Sequence, residues 1–581
     1  MVQEYLQTII LRHKLPPEFV QTVDRWYQPL AADLAQICSE SPSISLIAVQ
    51  GTQGSGKSTL ADFVREILWH QYKLRAVVLS LDDFYLTRTE RSALAQEIHP
   101  LLATRGVPGT HDVDLALQII NRLKNLKSGE ELTVPRFDKA VDDRKPASQW
   151  ESVAGPVDLI IFEGWCLGAT PQSQIELQKP LNDLESNEDP DLIWRTYVND
   201  QLSGPYRTLF SQFDKLIVLA APSFDCVYQW RLLQEQKLAQ SWSKQHSDQN
   251  NKIQSPEQLR RFISHYQRLT SHCLRCLPQH ADWLLRLNHK HEIIELKQKQ
   301  APPFVIATDL DGTLLDHYTY SWTKAATAVD ELKSRNIPII VNTSKTYNEI
   351  VEIQHDLDIC NPFIVENGSA VYLPMDNTHD GIDDLEIHDN FLLKVLGQYR
   401  SKIVEQLYKL RTQYRWQFEG YSDWSVDKLM ELTGLARESA LASMDRQFSE
   451  PIIWQDSDNN LLQFRVQLNK LNLKLLRGGR FFHVLGVTDK GTALSWLMNY
   501  YQKTNLSRPK IIALGDSQND VDMLGVADIA VLVKSPVHSF PELAFTGKKI
   551  YTDLFGPSGW NDAILTIIND TTKVLSGEQH G

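Results

Sequence analysis

Residues 44–58 read Ile-Ser-Leu-Ile-Ala-Val-Gln-Gly-Thr-Gln-Gly-Ser-Gly-Lys-Ser, an apolar run that breaks into a glycine-rich turn. Ile44 to Val49 is short, apolar and bounded by turn residues, the pattern of a buried parallel strand. Lys57 to Tyr72 then carries apolar residues at helical spacing. A strand, a Gly-x-x-x-x-Gly-Lys-Ser turn and a helix N-terminus together aim backbone N–H groups at a phosphate. Gly51, Gly54, Ser55, Gly56, Lys57, Ser58 and Thr59 are therefore the candidate nucleotide loop. Lys57 adds a point charge and Ser58 offers a hydroxyl to a metal, so ATP and Mg2+ are the expected cofactors.

Working outward, further strand-like runs alternate with helical ones: Ala76 to Ser80, Leu159 to Phe162 and Leu216 to Ala220. They predict an α/β fold with a parallel sheet. Asp82 closes the second run, where a small-substrate kinase needs a base for the attacking hydroxyl. Glu163 closes the third, a position suited to holding Mg2+ directly or through water.

A second decisive stretch, residues 304–316, reads Phe-Val-Ile-Ala-Thr-Asp-Leu-Asp-Gly-Thr-Leu-Leu-Asp. Here a strand delivers Asp309 as a carboxylate nucleophile and Asp311, two residues on, as the acid and base of phosphoryl transfer. Three further elements follow in order. Ile339 to Val341 leads to Thr343, a hydroxyl for a phosphoryl oxygen. Lys490 in Asp489-Lys-Gly491 supplies a cation. Ile511 to Leu514 leads to Asp516 and Asp520, which with Asp309 and Asp311 form the expected Mg2+ set. Thr343 follows Thr313 by 30 positions, too few for an inserted domain, whereas Lys490 follows Thr343 by 147. A cap is therefore expected at 375–480, and Arg446, Arg477, Arg480 and His483 are the basic residues it would lend to an anionic substrate.

The 581-residue chain is long enough for two to four domains, with 42% hydrophobic and 23% charged residues. Its net charge of -13 argues against a general role on nucleic acid or membrane surfaces, so anionic substrates must be met by local cations. Six cysteines do not suggest a disulfide framework. Cys273 and Cys276 lack a second pair at zinc spacing and read as helix cysteines. The N-terminal stretch lacks the pattern of a signal peptide, and no apolar run approaches a membrane span, which makes the cytoplasm the default. Residues 1–42 read as a helical extension. His289-Lys-His291 and the charged stretch from Lys290 to Pro303 read as a linker, with the boundary near 300. The polar stretch 239–252 reads as a mobile loop.

Ser80-Leu-Asp-Asp-Phe-Tyr-Leu-Thr87, Arg105-Gly-Val-Pro-Gly-Thr-His-Asp112, Pro135-Arg-Phe-Asp-Lys139 and Phe162-Glu-Gly-Trp165 resemble D-glycerate 3-kinases, of the P-loop group of phosphoribulokinase and uridine kinase. The resemblance runs from about 43 to 290. It implies Asp82 as catalytic base and Lys57 and Ser58 in the nucleotide site. It makes Arg105, His111, Arg136 and Lys139 candidates for the glycerate carboxylate or the transferred phosphate. Arg231 and Lys237 are placed in a lid. Asp309-Leu-Asp-Gly-Thr-Leu-Leu-Asp316, Asn342-Thr-Ser-Lys-Thr346, Glu366-Asn-Gly368, Phe448-Ser-Glu-Pro451, Gly479-Arg-Phe-Phe-His483 and Asp489-Lys-Gly491 resemble mannosyl-3-phosphoglycerate phosphatases of the haloacid dehalogenase (HAD) superfamily. Lys345 departs from the Arg of many relatives outside that subgroup.

The two resemblances imply a P-loop kinase sheet over 43–298, then a HAD Rossmann-like core over 303–374 and 481–575. An α/β cap would be inserted between its second and third motifs. The implied enzyme is bifunctional. One half would make 3-phosphoglycerate from D-glycerate and ATP, and the other would hydrolyse a phosphate ester such as a glycosyl-3-phosphoglycerate. The small-molecule partners would be glycerate and its phosphorylated or sugar-linked forms. Two other readings stand beside this one: a HAD half acting as a non-catalytic or regulatory module, and a kinase for a nucleoside or pantothenate.

Overall fold

The computed structural model describes residues 4–41, 43–232, 256–299, 302, 304–375, 384–389, 391–478, 480–505 and 508–575. The chain divides into two compact units, Met1–Lys299 and Gln300–Gly581. Lys237 and the stretch 239–252 lie outside the described residues.

The first unit is built on a six-stranded sheet. Its order is Ile293–Gln298, Trp283–Leu287, Lys215–Ala220, Ser45–Gly51, Leu159–Gly164, Ala76–Ser80. The four central and far-edge strands are parallel and almost wholly apolar, because helices cover both faces. One face packs against the helices Glu4–Arg12, Gln28–Glu40 and Lys57–Ile67. The other packs against Val113–Lys124 and the long helix Pro256–Cys276. Cys273 and Cys276 are both buried in that helix, and none of the six cysteines forms a disulfide.

The expected linker from 290 is structured up to Lys299. Ile293–Gln298 pairs antiparallel with Trp283–Leu287, and His289 to His291 form the turn between them. This edge strand is only half-buried and carries Glu295, Lys297 and Gln298, so its composition reads as a linker.

The second unit holds a nine-stranded sheet. Phe363–Val365, Ile339–Asn342, Phe304–Thr308, Lys510–Gly515, Ile529–Lys534 and Lys548–Phe555 run parallel in that order. Ala370–Pro374, Phe391–Val395 and Glu386–His388 extend it antiparallel beyond Phe363–Val365.

A separate four-stranded antiparallel sheet, Phe418–Gly420, Ser449–Trp454, Phe482–Gly486, Leu473–Arg477, forms the cap with helices Arg400–Tyr414 and Asp458–Lys470. The cap therefore differs from the expected 375–480 at both ends. Residues 386–395 complete the core sheet through backbone pairing with Ala370–Pro374. Phe482–Gly486 is a central cap strand. Among the described residues, no helix is long and apolar enough to cross a membrane.

Candidate active sites

Parallel pairing aligns the C-terminal ends of three adjacent strands in the first unit. Val49 and Ser80 both lie level with Glu163. Beyond Val49 the chain turns through Gly54 and Gly56, whose φ values of 79° and 94° lie in the left-handed region that favours glycine. A Cβ on Gly51 would sit 2.4 Å from Ser55 Oγ and 3.2 Å from Leu219 Cβ, so a side chain here would displace the Ser55 hydroxyl. The helix starts at Lys57. Ser58 Oγ and Ser80 Oγ both donate to Glu163 Oε1, at 2.9 and 2.8 Å. Glu163 Oε2 is buried with no hydrogen-bond partner, as are Thr52 Oγ1 and Ser55 Oγ. A nucleotide's phosphates and a divalent cation fit these donors and this orphaned carboxylate oxygen. Thr59 lies on the first turn beside Ser58.

Asp82 sits in the short turn Leu81–Phe84 that follows Ala76–Ser80. Lys139 Nζ donates to its Oδ2 at 2.5 Å and Tyr85 hydroxyl to its Oδ1 at 2.9 Å. Burial disfavours its charge, but Lys139 and Lys57 outweigh burial and hold its pKa down to about 2. The segment 105–112 lies against this turn. Leu86 N–H donates to Thr110 O and Asp112 N–H to Phe84 O. His111 stacks on Tyr85 with ring centroids 4.5 Å apart, and its Nδ1 shares a 2.5 Å hydrogen bond with Tyr206 hydroxyl. Burial drives its pKa down to about 3, and its buried Nε2 has no partner. Arg136 pairs with Asp83 at 2.8 Å and with Glu151. Arg105 pairs with Asp142 and lies over the Phe137 ring, which meets Tyr85 edge-on. All four basic candidates thus surround the Asp82–Tyr85 turn. Arg144 joins them, donating to Tyr85 O at 2.9 Å. Arg231 lies on the helix after Pro222.

In the second unit Asp309 ends the central strand Phe304–Thr308, with Lys490 Nζ 2.6 Å from its Oδ1. The same ammonium donates to Asp520 Oδ1 at 2.7 Å. Asp309, Asp516 and Asp520 are buried with carboxylate oxygens within 4.8 Å of one another. Burial pushes Asp309 up to about 8 and Asp516 up to about 6, with neighbouring acids adding to both and Lys490 opposing at Asp309. One buried cation does not offset three buried carboxylates, so a divalent cation fits here.

Of the four acids expected around the metal, the structure brings Asp309, Asp516 and Asp520 together and leaves the Asp311 side chain outside the trio. Asp520 has both oxygens engaged: Oδ1 by Lys490, Oδ2 by the backbone N–H groups of Asp516 and Ser517. It positions Lys490 and the loop. Asp311 pairs with Lys345 Nζ at 3.0 Å. A Cβ on Gly312 would fall 2.7 Å from Asp516 Oδ2, so the glycine admits that acid to the site.

Thr343 is buried at the end of Ile339–Asn342, and Asn342 Nδ2 donates to Lys490 O at 2.9 Å. Arg446 reaches from the cap to Ser344 O at 3.1 Å, next to Thr343. His483 is driven down to about 3 by burial and by Arg446, and its Nδ1 is buried with no hydrogen-bond partner. Arg480 is exposed and donates to Thr433 O within the cap, and Arg477 lies over the Phe482 ring. The structure thus brings Arg446 to the core but ties Arg480 down elsewhere.

Residues 306–544 match the haloacid dehalogenase-like hydrolase family. The glucosyl-3-phosphoglycerate/mannosyl-3-phosphoglycerate phosphatase of Methanococcoides burtonii is 34% identical over 273 residues, 46% of this chain and 99% of that protein. The chain belongs to the haloacid dehalogenase-like hydrolases. The protein of the same description from Persephonella marina is 33% identical over 270 residues, 46% of this chain and 98% of its own. Ahead of the haloacid dehalogenase-like half, residues 46–172 match the phosphoribulokinase/uridine kinase family. The solved D-glycerate 3-kinase from Cryptococcus neoformans is 25% identical, with a TM-score of 0.40, covering 49% of this chain and 100% of that one.

Sequence reasoning left Glu366 without a role in the haloacid dehalogenase-like half. It follows the strand Phe363–Val365, and its carboxylate accepts from Gln447 N–H at 2.8 Å, from Phe448 N–H and from Ser449 Oγ at 2.5 Å. It therefore fastens the cap segment carrying Arg446 to the core. The signal was an acid at a strand end followed by Asn-Gly, two residues that tolerate the left-handed backbone found at Glu366, Asn367 and Gly368.

Proposed function

We propose that the chain is a bifunctional enzyme. Its first unit phosphorylates D-glycerate to 3-phosphoglycerate with ATP. Its second hydrolyses the phosphate ester of a glycosyl-3-phosphoglycerate. In the first, Asp82 accepts the proton of the glycerate hydroxyl as that oxygen attacks the terminal phosphorus. Its low pKa keeps it ionised for this. The 51–58 loop and Lys57 hold the phosphates. Ser58 and Glu163 would hold Mg2+, which neutralises charge developing on the transferred group. His111, Lys139, Arg105 and Arg136 ring the acceptor position.

In the second unit Asp309 attacks phosphorus and forms an aspartyl-phosphate, while Asp311 gives its proton to the leaving oxygen. Asp311 then takes a proton from water, which attacks the phosphoenzyme and frees Asp309. Lys490 and Thr343 steady the phosphoryl oxygens. Arg446, the cap cation that touches the core beside Thr343, is the residue we assign to the glycerate carboxylate.

The observation that carries the phosphatase half is the buried Lys490 at 2.6 Å from Asp309, in a chain similar over nearly the full length of two phosphatases of that description. Free 3-phosphoglycerate would be a poor substrate, because its hydrolysis would undo the first reaction. The test is phosphate release by Asp309→Asn from mannosyl- and glucosyl-3-phosphoglycerate, together with ATP-dependent glycerate phosphorylation. Release should fall at least about a thousandfold while glycerate phosphorylation persists. Wild-type protein that hydrolyses free 3-phosphoglycerate as fast as its glycosyl forms, or that leaves glycerate unphosphorylated, contradicts the proposal.

A further inference from the structure

We infer that Trp230 and His291 form the platform on which the nucleotide base stacks, on the side of the phosphate loop away from the acceptor. This rests on the kinase reading of the first unit. The sheet order places the Ser45–Gly51 strand between Leu159–Gly164 on one side and Lys215–Ala220 on the other. Glu163, Ser80 and Asp82 all come from the first side, so the acceptor's hydroxyl belongs there. A nucleotide whose phosphates lie in the loop must extend toward the other.

Two aromatic side chains stand there. A Cβ placed on Gly54 would lie 3.7 Å from Trp230 Cβ, and one on Gly56 would lie 4.0 Å from His291 Nε2. Both rings therefore border the two left-handed glycines of the loop. Their centroids are 4.6 Å apart at an interplanar angle of 48°, an open wedge and not a closed stack. Trp230 is half-buried and His291 exposed, so the wedge faces solvent while its root packs on the core.

The support beneath them is built. Asn288 Oδ1 accepts the N–H groups of Lys290 and Glu292, both at 2.9 Å, and Asn288 O accepts that of His291 at 3.0 Å. This turn holds His291 at a φ of 68°, a costly conformation for a non-glycine residue and one that concentrates at ligand sites. Trp230 Nε1 donates to His289 O at 3.2 Å, joining the helix after Pro222 to the turn. His289 Nδ1 lies 3.2 Å from Cys226 Sγ, fixing the turn from beneath. Aromatic faces accept any base, because every base presents a π-face. The platform therefore takes a nucleoside triphosphate as a class and gives little choice between adenine and guanine.

Calorimetric titration of the full chain with ATP·Mg2+, GTP·Mg2+ and inorganic tripolyphosphate·Mg2+ tests this. Trp230→Ala should raise the Kd for both nucleotides about tenfold and leave tripolyphosphate within about twofold. Trp230→Phe should bind ATP within about twofold of wild type, and His291→Ala should weaken nucleotides but not tripolyphosphate. Equal weakening of all three ligands by Trp230→Ala, or no weakening of any, overturns the inference. Wild-type protein that binds ATP through Trp230 yet does not phosphorylate glycerate upholds it and removes only the acceptor assignment. Wild-type protein that binds no nucleotide overturns both.

Discussion

Lys490 shows how much a single residue can carry. Its ammonium is buried between Asp309 and Asp520, and it is held protonated against burial by those two acids. Replacing it by Met leaves two buried carboxylates without their cation. We predict a loss of about 3–5 kcal/mol from the second unit and abolition of phosphate release, read by urea unfolding and phosphate assay. His111 sets a pH response in the first unit. It is buried beside Tyr85, Tyr206 and Asp82 with a pKa near 3, well below the ordinary 6.5. The unfolded chain therefore binds a proton that the folded chain refuses. This contribution to stability is intact above about pH 6.5 and falls as pH drops toward 3, by about 1.4 kcal/mol per unit. Between pH 7 and 4.5, His111→Gln should lose about 2–3 kcal/mol less stability than wild type in urea midpoints of the first unit. Equal losses would assign the acid sensitivity to other groups.

Among the elements, the loop after Phe363–Val365 is the one that others lean on. Glu366 fastens the cap. Gly368 O accepts from Thr488 Oγ1 at 2.8 Å, and a Cβ on Gly368 would sit 2.0 Å from Asp489 O and 2.8 Å from Lys490 N. Its φ of 89° adds a strain that any side chain would bear. Gly368→Ala should push the start of the Lys490 helix off position. Misplacement of a catalytic group by about an ångström costs on the order of a hundredfold. We expect that fall in phosphatase kcat/KM, with ATP-dependent phosphorylation unchanged in the same preparation. Short strands such as Phe304–Thr308 were readable because five apolar residues between turn signals have few other uses. Ile293–Gln298 was not, because an edge strand with charged residues has the composition of a linker.

At the scale of the molecule, each unit has its own apolar core, and thermal unfolding should show two transitions. Saturating ATP·Mg2+ should raise one Tm and leave the other in place, whereas Lys490→Met should lower only the other, as followed by calorimetry. Much of this was legible in the chain by itself. A glycine-rich loop and an Asp-x-Asp turn are local structures whose function lies in backbone direction and spacing, so the sequence alone determined two phosphate-handling halves, the order of their motifs and the roles expected of Lys57, Asp82 and Asp309. What each acid is free to do was decided only by tertiary structure. Asp520 is taken by Lys490 and two backbone N–H groups, Asp311 by Lys345 at one oxygen only, and Glu366 by a cap segment 81–83 residues away. Likewise the limits of the cap follow from which strand Phe391–Val395 pairs with. A buried polar group must find its partners wherever the fold supplies them, and those partners come from segments that no local pattern connects.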